Sequence, residues 1–187
     1  MLWGNVALGK NGAVRLGGVS ERLAVVVGML HVSFGLTAAA MRASARFLCD
    51  KEESDELRRQ GRALLLGAVA LIAAGASLIL LSIAGPGRLV PPTSGLMIVM
   101  FLTILATVLV NVRLRLLDEL DRAVARESGY LAFVWFSIVG GTWAILTHLG
   151  FVAAPTPLNW LTMIYGFSFV AGIIALAHRG GFDSGTG

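Results

Sequence analysis

The chain has 187 residues, of which 56% are hydrophobic and only 14% are charged. An average soluble domain carries about 25% charged residues, so this chain lacks the polar side chains that cover a water-facing surface. Its net charge of +4 would suggest nucleic acid as a partner of a soluble protein, but basic residues beside membrane spans are an ordinary orientation signal. The composition therefore predicts an all-α, polytopic integral membrane protein whose surroundings are a lipid bilayer and not nucleic acid.

Five apolar runs without Asp, Glu, Lys or Arg follow one another along the chain. A helix of roughly 20 residues crosses about 30 Å of hydrocarbon, and each run is close to that length. We therefore predict a bundle of about five transmembrane helices, at residues 23–41, 63–84, 95–112, 130–152 and 158–177. Residues 1–22 are then an N-terminal segment, 23–178 a single transmembrane domain, and 179–187 a flexible tail.

The basic residues predict how these spans are oriented. Lys and Arg are concentrated in the connecting segments 42–62 and 113–129 and are sparse in the other two connections. Under the positive-inside rule the two basic segments and the tail lie in the cytoplasm, and the N-terminus lies outside. The five prolines all fall in the two outer connections, where they predict tight turns and straight spans.

The two inner segments are predicted to be partly helical. Asp50 and Glu53 have the spacing of a capping box, which predicts a helix that continues into span two. Apolar residues recur at helical spacing between residues 113 and 126, so spans three and four are expected to continue as amphipathic helix beyond the lipid. Ser128 and Gly129 are the expected break in that helix.

A short phrase occurs twice, as SDELRRQGR before span two and as LDELDRAVAR before span four. In each copy an acid precedes an arginine by four residues, and the pairs are Asp55 with Arg59 and Asp118 with Arg122. Such a pair shares one helix face and adds about 0.2–0.5 kcal/mol to an isolated helix. We interpret the phrase as a solvated juxtamembrane helix, with a surface at which the copies meet each other or a partner as the alternative. The repeat also suggests that a two-helix unit was duplicated.

Small and aromatic residues predict how the spans pack. Span two presents small residues that include Gly67 and Gly75, so spans one and two are expected to pack most closely. Trp135 and Trp143 are eight residues apart on roughly one face of span four, where we expect them to pack against a neighbour. The hairpin of spans four and five is expected to form the aromatic side of the bundle.

The chain has three histidines, and all of them lie in or near the predicted spans. His31, His148 and His178 are predicted at three different depths, whereas a haem held between two histidines needs both at one depth. His31, with Ser33 and Thr37 nearby, remains a candidate for contacting a pigment or haem by itself. The alternative is a neutral imidazole that is hydrogen-bonded to a neighbouring helix. Three scattered histidines predict no metal site.

A polar stripe runs down span three, where Thr103, Thr107 and Asn111 recur every four residues. It is the best candidate for a transport path, although hydroxyl and amide groups also join helices to one another. No span contains an Asp, Glu, Lys or Arg to couple an ion gradient. The motifs of serine hydrolases, zinc proteases and phosphate loops do not occur, so no enzymatic activity is predicted.

The last third of the chain contains LDELDRAVARESGYLAF, then LGFVAAPTPLNW, then GIIALAHRGGF. This order resembles a loosely related set of small bacterial inner-membrane proteins of unknown function, over about residues 115–182. The resemblance implies a bacterial origin and two spans in this third. It implies no activity and no site residue.

Three hypotheses about function follow. The first is a non-enzymatic protein of the bacterial inner membrane that contacts other proteins as an accessory subunit, scaffold or regulator, through the aromatic face of spans four and five and the inner segments. The second is a small transporter or channel that uses the polar stripe of span three. The third is a pigment- or haem-contacting protein that uses His31.

Overall fold

The computed structural model describes residues 18–48, 55–85 and 88–180, with side chains in 18–44, 58–85 and 88–178. Its helices are α1 (Val19–Leu48), α2 (Asp55–Ile83), α3 (Pro92–Leu116), α4 (Glu119–His148) and α5 (Pro157–Gly180). By length and composition each helix can cross a membrane. For the described residues, the predictions of an all-α bundle and of five helices long and apolar enough to span a membrane are thereby confirmed.

Helices α1 and α2 approach each other backbone to backbone. A Cβ atom added to Gly28 of α1 would lie 2.7 Å from the carbonyl oxygen of Gly75 on α2 and 2.8 Å from Cγ1 of Ile79. A Cβ atom on Gly35 would lie 2.7 Å from the carbonyl oxygen of Ala68. Only glycine permits these distances, because any larger residue would push the helices apart. The predicted close packing of the first two spans is confirmed.

The helices are arranged in the order α3, α2, α1, α5, α4. Helix α2 packs against α1 and α3, α5 packs against α1 and α4, and α2 also touches α5. The membrane-spanning stretch of α2 is 33% buried, whereas those of α3 and α4 are each only 6% buried. Helices α3 and α4 therefore form the two outer sides of the bundle. They do not repeat the packing of α1 on α2, so the suggested duplication has no counterpart in the packing.

Helix α4 begins earlier than the sequence suggested. The Asp118 side chain accepts a hydrogen bond of 2.6 Å from the Asp121 backbone N–H and so caps the first turn of α4. The predicted break at Ser128 and Gly129 is wrong, since both residues lie inside α4. The Ser128 hydroxyl donates to the Ala125 carbonyl at 3.0 Å and is accommodated within the helix.

The end of α4 is fixed by a glycine. Gly150 has a φ of +79°, and its N–H donates to the Thr147 carbonyl at 3.0 Å. The next N–H, of Phe151, reaches the Leu146 carbonyl at 2.9 Å. This pair of bonds is a Schellman motif, which ends α4 at His148, short of the predicted end of span four.

The connection between α2 and α3 is anchored to α1 by an ion pair. Arg88 Nη2 donates to Glu21 Oε1 at 2.7 Å, and Arg88 Nη1 donates to the Ser82 carbonyl at 2.6 Å. The other oxygen of Glu21 accepts a bond of 2.8 Å from the Gly18 N–H. One carboxylate therefore caps the first turn of α1 and fixes the neighbouring connection.

Several arginines lie close together at the end of the bundle opposite the ion pair of Glu21 and Arg88. A cavity of about 460 Å³ is lined there by the last turns of α1 and α3 and the first turns of α2 and α4. The Arg42 guanidinium contacts α2 at Gly61, and a Cβ atom on Gly67 would lie 3.0 Å from Nε of Arg113. We call this the arginine end. Asp50 and Glu53 of the predicted capping box lie outside the described residues, but α2 does begin at Asp55 before its apolar run.

Candidate functional site

The polar stripe of span three, which we call the α3 polar face, consists of Thr103, Thr107 and Asn111, and all three side chains are exposed. The Thr107 hydroxyl donates to the Thr103 carbonyl at 2.8 Å, and Nδ2 of Asn111 donates to the Thr107 carbonyl at 2.8 Å. These bonds satisfy the hydroxyl donor of Thr107 and one amide donor of Asn111. The hydroxyl oxygens and the Asn111 amide oxygen still have acceptor capacity for a further group.

The α3 polar face lies outside the contact of α3 with α2. Helix α3 packs on α2 through the side that carries Gly95 and Arg113. The helical repeat places Thr103 and Thr107 roughly 80–120° around the helix from that side. The three predicted transport-path residues therefore lie on the outside of the bundle, and they line no enclosed path within the part of the chain that the structure describes.

At the arginine end the α3 polar face leads into a groove between α3 and α4, which we call the arginine groove. Its volume is about 480 Å³, and its lining residues are Asn111, Leu114, Arg115, Arg122, Ala125 and Arg126. Nε of Arg122 donates to the Leu114 carbonyl at 3.3 Å, and its Nη2 donates to the Leu117 carbonyl at 3.0 Å. Arg122 thus holds the start of α4 against the end of α3.

The arginine groove carries uncompensated positive charge. Arg115 and Arg126 are exposed and Arg122 is half-buried. No carboxylate lines the groove. Among the side chains that the structure describes, none forms an ion pair with these three arginines. Such a groove favours an anionic ligand.

Only the second copy of the repeated phrase has both of its expected partners among the described side chains. Asp118 lies at the cap position, outside the helix, and bonds the Asp121 N–H, while Arg122 reaches back to carbonyl groups of α3. The expected pairing of Asp118 with Arg122 is therefore wrong. The Asp118 side chain caps α4, and the Arg122 side chain joins α4 to the end of α3. Arg59 is exposed, and the Asp55 side chain lies outside the described ones.

His31 is enclosed within the bundle and is only 3% exposed. Its Nδ1 donates to the Val27 carbonyl of its own helix at 2.9 Å, not to a neighbouring helix as expected. Its ring centroid lies 4.9 Å from that of Phe169 and 5.9 Å from that of Tyr165, both on α5. Its Cβ would be 2.9 Å from a Cβ at Gly75. The side chain therefore fills the contact between three helices.

The other two histidines do not join it. His148 and His178 are exposed at the ends of α4 and α5. No group of three His, Cys, Asp or Glu residues in the described parts of the chain is placed to hold a metal ion.

No family model, curated protein or solved structure matches this chain. The resemblance of residues 115–182 to small bacterial membrane proteins therefore stays a prediction.

The tryptophans that the sequence singled out serve the hairpin of α4 and α5. Trp135 packs edge-on against Phe167, with ring centroids 6.3 Å apart, as expected. Nε1 of Trp143 donates to the Ala153 carbonyl at 3.1 Å in the turn between the two helices. Both tryptophans therefore make contacts within the chain. This part of the predicted aromatic contact surface packs inside the hairpin of α4 and α5.

The sequence pattern did not single out Arg115 and Arg126 as site residues. Arg115 follows Asn111 by four residues, so it extends the row of Thr103, Thr107 and Asn111 by one more turn. That continued spacing is the signal that identifies Arg115. Arg126 has no comparable signal, because its place beside Arg115 depends on how α4 turns back from α3.

Proposed function

We propose that this chain is a non-enzymatic integral membrane protein that acts through contacts with other proteins inside the membrane, as an accessory subunit, scaffold or regulator. The arginine excess and the resemblance at residues 115–182 support a bacterial inner membrane with the arginine end in the cytoplasm. The observation that carries the proposal is the exposed pair Thr103 and Thr107 on α3, a helix whose extensive packing, among the described residues, is against α2.

The depth of this pair defines the kind of partner. At 1.5 Å per residue, Thr103 and Thr107 lie about 16 and 22 Å along α3 from Pro92. Both positions fall within about 30 Å of hydrocarbon. A partner that reaches them is itself in the membrane, so we expect a transmembrane helix of another protein and not a soluble domain.

The shape of the face also suits a helix. Two small residues four apart form a shallow notch, and larger exposed side chains border it, including Met100 and Ile104. Small residues at this spacing let two membrane helices approach closely and gain van der Waals contact. The hydroxyl oxygens can accept one hydrogen bond each from the partner, which adds about 0.6 kcal/mol per bond. The transporter and pigment hypotheses lack comparable support, because the polar face is on the outside and His31 is packed against α5.

Site-specific photocrosslinking tests the proposal. A photoreactive residue at Met100 lies beside Thr103 and Thr107, whereas one at the adjacent Phe101 lies about 100° further round the helix at the same depth. Both positions are more than half exposed, at 53% and 64%. We expect a discrete crosslinked protein from Met100 and a weak signal or none from Phe101.

Three results would count against this function. Equal crosslinking from both positions would show random collisions, and crosslinking to lipid alone would show that α3 faces the bilayer. A crosslink to a second copy would make the partner helix α3 itself and replace the accessory role by self-association.

A further inference from the structure

We infer that the arginine groove is a binding site for a phosphate-bearing anion, held at the depth of the lipid headgroups. The inference is independent of the proposed protein contact, because it uses the arginines at the end of α3 and the start of α4. The chemistry follows from the lining, to which three arginines and one asparagine contribute and no Asp or Glu does.

The depth of the groove matches the phosphate layer of a bilayer. Asn111 lies about 28 Å and Arg115 about 34 Å along α3 from Pro92. A hydrocarbon core is about 30 Å thick, so the groove begins where the acyl chains end. Basic pockets between membrane helices at this depth suit anionic lipid headgroups.

The geometry assigns different tasks to the three arginines. Arg122 is held by the Leu114 and Leu117 carbonyls, so its guanidinium is already in place before a ligand binds. Arg115 and Arg126 are exposed on opposite walls of the groove, one on each helix. A guanidinium donates two parallel hydrogen bonds to phosphate oxygens, so the two walls can hold one phosphate between them.

The arginine groove differs from the neighbouring cavity at the arginine end because no acidic residue lines the groove. That cavity also contains two arginines, but Asp118 and Asp121 line it as well. The arginine groove has no such counter-charge among its lining residues, so a bound anion is what would neutralise it.

The test compares lipid binding by two double variants that lose the same charge. The double variant R115Q/R126Q removes one guanidinium group from each wall of the groove. It keeps Arg122, which joins α3 to α4. The control R58Q/R62Q removes two exposed arginines of α2 at the same end of the bundle. Purified, delipidated protein is titrated with phosphatidylglycerol or phosphatidylcholine in detergent, and bound lipid is counted by native mass spectrometry. Unchanged thermal unfolding in phosphatidylcholine confirms that each variant is folded.

We expect saturable binding of phosphatidylglycerol and none of phosphatidylcholine. R115Q/R126Q should bind phosphatidylglycerol at least about tenfold more weakly, and R58Q/R62Q should match the unaltered chain. A parallel titration with inorganic phosphate separates the two sources of the anion. Tight phosphate binding that depends on Arg115 and Arg126 would identify a soluble phosphate compound as the ligand.

Two outcomes would overturn the inference. The first is equal weakening by both double variants, which would show a diffuse charge effect. The second is the absence of any lipid or phosphate binding that depends on Arg115 and Arg126. If R115Q/R126Q fails to fold, the single variants R115Q and R126Q give the same comparison.

Discussion

The crossing of α1 and α2 at Gly75 allows a quantitative prediction. A Cβ atom at this position would contact the Gly28 carbonyl oxygen and would lie 2.9 Å from both Cβ of His31 and Cγ2 of Val32. Two of these neighbours are backbone or near-backbone atoms that cannot rotate away. Gly75→Ala must therefore separate the helices, and overpacking of this kind costs about 1–3 kcal/mol.

The matched control is Gly172→Ala in α5, where an added Cβ meets no atom within 4 Å. Both substitutions replace a helical glycine by alanine, so the gain in helix propensity of up to about 1 kcal/mol is common to them. Their difference isolates the packing cost, and we expect Gly75→Ala to be less stable by about 1–3 kcal/mol. Thermal unfolding in detergent measures it, since 1 kcal/mol shifts Tm by about 2–4 °C at this chain length. Equal Tm values for the two variants would refute the reasoning.

Two further changes test contacts that fix the ends of helices. Arg88→Gln breaks the ion pair with Glu21 and should cost about 1–2 kcal/mol of stability, because a partly buried carboxylate loses its charged donor. Arg58→Gln, at an exposed site, should leave Tm unchanged, and an equal loss in both would disprove the role of the pair. Gly140→Ala should lower Tm and alter tryptophan fluorescence, since its Cβ would lie 2.7 Å from an indole on α5. Gly141→Ala is the control with open space around it, and a matching change there would count against the contact.

The five helices were predictable because each predicted span is free of charges, and because the connections on either side of them contain charged residues or proline and glycine. Their boundaries were less predictable where two local signals compete. Ser128 and Gly129 are the weaker helix formers, but Asp118 caps α4 with its own side chain and so sets the boundary.

Contacts between residues that are far apart in the chain could not be predicted from the sequence. Glu21 and Arg88 are 67 positions apart, and neither carries a pattern that points to the other. The row of Thr103 and Thr107 was visible from its spacing, yet the side of α3 that faces α2 depends on the fold. The partner of His31 was missed for a different reason, because a histidine inside a helix can bond the carbonyl of its own preceding turn instead of a neighbouring helix.

The α3 polar face and the arginine groove form one continuous row. Thr103, Thr107, Asn111 and Arg115 recur every four residues from the middle of the membrane to its edge. A helix partner in the membrane and a phosphate at the headgroup depth are therefore adjacent, and each can be removed without the other.

Co-purification in mild detergent tests the central claim most directly. The unaltered chain, the double variant T103L/T107L and the control F101L are isolated from native membranes, and their associated proteins are quantified by mass spectrometry. Leucine fills the notch at Thr103 and Thr107, whereas Phe101 is exposed on another side of α3. We predict a membrane protein at fixed stoichiometry with the unaltered chain and with F101L, reduced at least about tenfold with T103L/T107L. A monomer without a partner, or a partner retained equally by all three, would contradict the account.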